Sequence, residues 1–211
     1  MQQSGTLNHV VSTLKAIKGA EPSKSRGRPS SRERILEAAS ELAHEVGAGN
    51  ISLDAVAERA GISKGGLLYN FPTKLQLLRA LVARHVERME AMMLDALQGH
   101  AGKANALIHA AMDASCIVEP DTHRPKPTGI LAAIAEDPQL IDPIRDYHRR
   151  LIRQLREATP QPERAFVAFL VLEGLHAQNL FEIGALTQED QDRVLVFLRK
   201  FLDEDPSTLA T

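Results

Sequence analysis

Between Ser52 and Lys74 the chain reads SLDAVAERAGISKGGLLYNFPTK. This stretch begins with a serine, a residue type that caps helix N-termini, and its tenth residue is Gly61, a type that ends helices. Between the two, small and apolar residues recur at helical spacing: Leu53, Val56, Ala57 and Ala60. The sequence therefore predicts a short helix that stops at Gly61.

A second short helix is predicted from Ser63 to about Asn70, because Pro72 disfavours helical geometry at Phe71. Two helices joined in this way form a helix-turn-helix when a small residue lies at their contact, the turn residue can adopt positive φ, and apolar residues hold the pair. The sequence has these residue types in the required order: Ala57, Gly61, Ile62 and Leu67. A tight helical hairpin in an ordinary core would show the same pattern, so the motif alone leaves that alternative open.

Apolar residues recur at helical spacing along most of the remaining chain, and no segment shows sustained period-2 alternation, so an all-α fold of about nine helices is expected. The first helix begins at Ser30 or Ser31, with Ser30 and Glu33 as a capping box, and ends at Gly47. Its predicted inner face is Ile35, Ala38, Ala39, Leu42, Ala43 and Val46.

A long fourth helix is predicted from Thr73, which forms a capping box with Gln76, to about Gly99. Its predicted inner face is Leu77, Leu78, Leu81, Val82, His85, Val86, Met89, Met92 and Met93. Five further helices are predicted at 103–117, 128–136, 138–158, 160–184 and 187–203. Pro160 is expected at the first helical position of the fourth of these.

Composition indicates a globular protein, since 44% of residues are hydrophobic and 25% are charged. The single cysteine, Cys116, argues against a disulfide-stabilised secreted domain, and no apolar run is long enough to cross a bilayer. We therefore expect a cytoplasmic protein with no membrane association.

Residues 24–84 carry ten Lys/Arg against six Asp/Glu, whereas residues 85–211 carry thirteen against twenty. A basic N-terminal part is typical of a nucleic-acid-binding module, although a chance asymmetry would look the same.

Residues from about 32 to 78 resemble the N-terminal domain of the TetR/AcrR transcriptional regulators. The resemblance rests on four blocks in order, Arg34–Ala39, Ser52–Ala57, Ala60–Gly65 and Phe71–Lys74. It implies a helix-turn-helix DNA-binding domain at 30–76 and a larger helical ligand-binding and dimerisation domain at 77–205. Residues 1–29 are expected to be a flexible basic tail and residues 206–211 a second tail.

The resemblance implies double-stranded DNA with a palindromic operator as the partner. Lys64, Gly65 and Gly66 would enter the major groove, and Tyr69 and Asn70 would contact the backbone or a base edge. Ser52 and Lys74 would bind phosphates, and Ser63 would open the recognition helix. Arg32, with Arg26 and Arg28 in the tail, would add phosphate or minor-groove contacts, although a solvated basic tail is the alternative.

Two positions depart from the family pattern. Leu68 stands where family members commonly carry a tyrosine, and Gly66 replaces a larger residue. Leucine cannot donate a hydrogen bond to a phosphate, so either Tyr69 makes that contact or the backbone is held less firmly. Adjacent glycines in the recognition helix would cost roughly 1 kcal/mol each relative to alanine.

The resemblance also implies a homodimer, because two recognition helices must reach major grooves roughly 34 Å apart. The dimer surface is expected on the last two long helices, although the same apolar residues could be internal core. They are Phe166, Phe169, Leu170, Leu172, Leu175, Leu180 and Phe181, followed by Val194, Leu195, Leu198, Phe201 and Leu202.

An unknown small-molecule effector is expected in the C-terminal domain, where methionine-rich walls suit irregular apolar ligands. The candidate pocket residues are His85, Met89, Met92, His109, Met112, Tyr147, Phe169 and His176. Ordinary core packing is the alternative for the methionines. A metal site formed by His109, His148 and His176 is not expected, because their spacing is not that of ligands.

The sequence shows no phosphate loop, nucleophile elbow or metal-ligand cluster, so neither an enzyme nor a cofactor is expected. The expected function is that of a sequence-specific transcriptional regulator, a repressor released by its ligand. The alternative is a helical interaction module of the same fold with weakened or lost specific DNA binding. Leu68 and Gly66 are the residues that favour this alternative.

Overall fold

The structure is a computed structural model that describes residues 30–116, 134–135, 137–181 and 183–204. Within these ranges it has eight α-helices, two short 3-10 helices and no strand, so the predicted all-α fold is confirmed. The α-helices are α1 Ser31–Val46, α2 Leu53–Ala60, α3 Lys64–Asn70, α4 Lys74–Gly99, α5 Ala106–Cys116, α6 Asp142–Ala158, α7 Pro162–Leu180 and α8 Gln188–Asp203. The 3-10 helices are Ala48–Asn50 and Pro138–Ile141.

The described residues form two compact units. The N-terminal unit comprises residues 30–88 together with 134–135 and 137–147, and the C-terminal unit comprises 89–116, 148–181 and 183–204. None of the helices in the described residues is long and apolar enough to cross a membrane.

Helix α1 begins as the sequence predicts. The Ser30 hydroxyl accepts a hydrogen bond from the Glu33 backbone N–H, and the Glu33 carboxylate accepts one from the Ser30 N–H at 2.7 Å. Hydrogen bonds to the Glu33 carboxylate from the Ser30 backbone N–H, and secondarily from the Ser30 side chain, lower the pKa of Glu33. The predicted inner face is buried except at Val46, the last residue of the helix, which is 46% exposed where the chain turns away at Gly47.

The core of the N-terminal unit is formed by α1, α2, α3 and the first turns of α4. Ile35, Val56, Leu67 and Leu77 are all fully buried in it. Leu140, from the 3-10 turn ahead of α6, joins the same core. The predicted helix 138–158 therefore begins with a tighter turn that places one leucine against the helix-turn-helix.

Three other sequence-based predictions need correction. His85 is exposed on α4, so it does not belong to the inner face, whereas Val86 beside it is buried. Helix α7 begins at Pro162, not at Pro160, because Gln161 takes the N-cap position and proline still occupies the first helical turn. Helix α5 begins only at Ala106, after Asn105 adopts positive φ. The predicted helix 128–136 lies almost wholly outside the described residues.

The C-terminal unit has its own core of apolar residues from α4, α5, α6, α7 and α8, among them Met93, Ile108, Leu155, Ala168 and Leu198. Arg164 holds the end of α8, because its guanidinium donates hydrogen bonds to the backbone oxygens of Phe201 and Glu204, at 2.9 and 2.6 Å. Helix α8 begins with a capping box between Thr187 and Asp190.

Candidate nucleic-acid interface

The turn between α2 and α3 has the geometry of a helix-turn-helix. Gly61 adopts the left-handed conformation with φ 62° and ψ 44°, and the Ile62 N–H donates to the Ala57 oxygen at 3.0 Å. A second hold on the turn comes from α1, where the Arg34 guanidinium donates to the backbone oxygens of Ala60 and Gly61. These carbonyls end α2 and need donors from outside the helix. Arg34 therefore attaches the end of α2 and the turn to α1.

Helix α3 divides into a buried and an exposed side. Leu67 is fully buried, whereas Tyr69 is 90% exposed and Lys64 and Gly65 are also exposed. The Ser63 hydroxyl caps the helix by accepting from the Gly66 N–H at 3.1 Å. The exposed side thus presents an ammonium group, a phenol and bare backbone.

Lys64 is paired with the carboxylate of Asp54, which was not among the predicted DNA-binding residues. Its Nζ lies 2.8 Å from Oδ1 and 3.1 Å from Oδ2 of Asp54, in the first turn of α2. Both side chains stay largely exposed, at 62% for Lys64 and 69% for Asp54. The signal in the sequence was the acidic residue at the start of α2, because a helix-turn-helix can bring that turn near the start of α3.

The remaining predicted DNA-binding residues have varied surroundings. The exposed Ser52 hydroxyl accepts from the Ala55 N–H at 3.1 Å. Lys74 is half-buried and donates to the Gly49 oxygen at 2.5 Å. Asn70 is also half-buried, and its amide donates to the Gly66 oxygen at 2.8 Å. Arg32 is exposed, and its guanidinium lies 5.2 Å from the centre of the Phe71 ring.

Gly66 and Leu68 also have clear structural settings. A Cβ on Gly66 would lie 3.3 Å from Ser63 Oγ, which makes glycine a close fit beside the capping serine. Leu68 is 37% exposed and is therefore on the accessible side of α3. Arg26 and Arg28 lie outside the described residues.

The candidate pocket residues fall in both units and differ in burial. His85 and Tyr147 belong to the N-terminal unit, and the other six belong to the C-terminal unit. His109, Met112, Tyr147 and Phe169 are buried, Met89 and Met92 are half-buried, and His85 and His176 are exposed. His109 already has a partner, since its Nε2 lies 2.8 Å from Asp203 Oδ1 and its ring stacks on His100.

An exposed apolar surface follows α7 and α8 of the C-terminal unit. Leu170 is 66% exposed, and Val196 and Phe197 are 55% and 65% exposed. Val196 and Phe197 also line an open groove with Glu189, Asp192, Arg193 and Lys200. Five of the residues predicted for this surface are buried instead, because they lie on the inner faces of the two helices: Phe169, Leu172, Leu175, Leu198 and Leu202.

The described residues form an N-terminal helix-turn-helix and a second helical unit, an architecture that defines the class of helix-turn-helix proteins. Residues 35–81 match the model of the bacterial regulatory proteins of the tetR family, and residues 104–203 match a tetracyclin repressor-like C-terminal domain. The chain belongs to the TetR family.

Curated relatives match over about a third of the chain. The chain is 37% identical over 76 residues to the HTH-type transcriptional repressor KstR of Rhodococcus jostii, which is 36% of each chain. It is 37% identical over 71 residues to the transcriptional activator FasR of Mycolicibacterium smegmatis, covering 34% of this chain and 32% of the relative. The chain thus spans about a third of the length of these relatives.

Solved structures share the fold along most of the chain. A transcriptional regulator from Streptomyces coelicolor A3(2) is 23% identical, with a TM-score of 0.62 over 83% of this chain and 100% of its own. GusR of Salmonella enterica is 19% identical, with a TM-score of 0.58 over 89% of this chain and 100% of its own. At these identities, the likeness supports the fold alone.

Proposed function

We propose that this protein is a transcriptional regulator that binds a specific double-stranded DNA sequence through α3. The exposed side of α3 carries this proposal, because Lys64 and Tyr69 project from a short helix that Arg34 and Leu67 hold in place. Lysine, tyrosine and exposed backbone are groups that contact phosphates and base edges. Ser52, Ser63, Gly65, Gly66, Asn70, Lys74 and Arg32 complete the proposed DNA-binding residues. Residues 30–76 are the proposed DNA-binding domain, and the protein would act in the cytoplasm with its DNA.

Selection of genomic fragments tests this function. We expect the purified full-length protein to enrich a palindromic site, and the Lys64→Ala, Tyr69→Ala double variant to lose at least about tenfold in affinity, since each lost contact is worth about 1 kcal/mol or more. Arg153→Ala, which removes an exposed arginine of α6, serves as the control and should select the same site. Weak, salt-sensitive binding with no preferred site would instead support an interaction module of the same fold.

The proposed active form is a homodimer joined through α7 and α8. Large exposed apolar side chains on both helices support it, because covering them with a second subunit removes apolar surface from water. Two such helices from each subunit would form a four-helix bundle and present two recognition helices to successive major grooves.

Phe197→Asp is expected to convert the dimer to a monomer of 23.1 kDa in light scattering, because it introduces a charge into the apolar contact. Leu68→Asp makes the same kind of change at an exposed leucine of α3 and should leave the dimer intact. A dimer that persists in Phe197→Asp would place the interface elsewhere.

The finer proposal is a repressor that a small-molecule effector releases from DNA. An effector must bind one conformation of the dimer more tightly than the other, and so shift the separation of the recognition helices. Met89, Met92, Met112 and Phe169 are the proposed apolar contacts within the C-terminal unit. One relative is named a repressor and another an activator at the same identity. Measuring transcription from the selected site therefore decides whether this protein represses or activates it.

A further inference from the structure

We propose that Asp54 and Lys64 act together to read one G·C base pair in each half of the DNA site. This inference rests on the proposed function and deepens it, because it names the base pair that the start of α3 would recognise. It assigns a role in specificity to Asp54, which lies ten residues before Lys64 and on the other helix of the motif.

The Lys64–Asp54 ion pair has enough unused donors and acceptors to bind a base pair while the ion pair stays intact. An ammonium group has three donors, and a carboxylate has about four acceptor positions. The contacts at 2.8 and 3.1 Å direct one region of the Lys64 ammonium towards the Asp54 carboxylate. With more than 60% of each side chain exposed, two donors and several acceptor positions remain accessible.

The order of groups on a G·C edge suits this pair. In the major groove, guanine presents two neighbouring acceptors, N7 and O6, and cytosine presents the N4 amino donor beside them. The two spare donors of Lys64 match the guanine acceptors, and Asp54 matches the cytosine amino group. An A·T pair places the adenine amino donor between two acceptors, so one Lys64 donor would face another donor.

The same pair is poorly suited to a phosphate. A lysine contributes to phosphate binding by neutralising charge and releasing counterions. Here the Asp54 carboxylate already neutralises Lys64, and its own negative charge would repel a phosphate at the same distance. A base edge, which offers donors and acceptors without net charge, is therefore the better ligand.

Selection from a random DNA library tests the inference with three proteins. We expect the wild type to enrich a half-site with one invariant G·C pair, and Asp54→Ala to lose about tenfold to a hundredfold of the preference for that pair over A·T. Asp54→Asn keeps the size of the side chain and should move the preference towards adenine, which an amide contacts through N6 and N7.

Glu41→Ala is the matched control. It also removes an exposed carboxylate from an ion pair, at 3.2 Å from Arg59, but on α1. This variant should keep the G·C preference, so a general effect of net charge is separated from a specific one. Circular dichroism of each variant confirms that it is folded before selection.

The outcomes separate this inference from the proposed function. A wild type that selects a palindromic site whose G·C preference is unchanged in Asp54→Ala and Asp54→Asn would overturn the inference and leave the function standing. A site with no required G·C pair would do the same. A wild type that enriches no site would overturn the proposed function itself.

Discussion

Replacing Leu67 with alanine is expected to lower the free energy of unfolding by about 3 kcal/mol, within the range of roughly 2 to 5 kcal/mol for buried leucines. Leu67 has no exposed surface and belongs to the core that joins α1, α2 and α3. Its removal takes apolar surface out of the core and leaves a cavity that the short helices cannot fill without shifting. Because α3 has only seven residues, it depends on such packing for its stability.

The adjacent leucine provides the control. Leu68 is 37% exposed, so Leu68→Ala should cost less than about 1 kcal/mol. Urea unfolding of the full-length variants, followed by far-ultraviolet circular dichroism, measures both changes. Equal losses at the two positions would contradict the burial of Leu67 and the exposure of Leu68, because both leucines would then be equally buried.

Replacing Gly61 with alanine is expected to lower the free energy of unfolding by about 1 to 2 kcal/mol, the cost of a left-handed conformation for a residue with a Cβ. The new Cβ would also lie 3.2 Å from Nη2 of Arg34, whose guanidinium holds the turn. Moving that guanidinium would weaken its hydrogen bonds to the end of α2. The substitution therefore strains the backbone at Gly61 and also weakens the hydrogen bonds that Arg34 makes to the turn.

Replacing Gly65 with alanine should change the free energy of unfolding in the opposite direction. A Cβ at Gly65 meets no atom within 4 Å, and the residue lies inside α3. Gly65→Ala is therefore expected to raise the free energy of unfolding by about 0.5 to 1 kcal/mol, because alanine loses less backbone entropy in a helix. If both variants were stabilised in thermal unfolding, the turn at Gly61 would not have the left-handed geometry.

Much of the helix-turn-helix was predictable from local patterns. Caps at Ser30, Ser52 and Ser63 and the stop at Gly61 appear in the structure as the sequence predicts. Each depends on hydrogen bonds between residues three or four positions apart, or on the conformational freedom of one residue. Such interactions are encoded in short segments and can be predicted without the rest of the chain.

The candidate site was predictable in part. The exposure of Lys64 and Tyr69 follows from the burial of Leu67, since the helical period assigns opposite faces. The partner of Lys64 did not follow, because Asp54 lies on another helix and many acidic residues were candidates. Lys74 and Asn70 each donate to a backbone oxygen, which a list of residue types cannot reveal.

The helical fold, the turn at Gly61 and the family could be inferred from the chain's local patterns, because helical period, caps and motif spacing are local properties. Which side chains lie together across the motif depends instead on tertiary packing. Arg34 reaches Gly61 over 27 residues, and Lys64 reaches Asp54 over ten. Contacts of this kind depend on the angles at which helices pack, and those angles arise from the whole core. The ion pair on the exposed side of the motif is thus a product of packing, and the proposed reading of DNA depends on it.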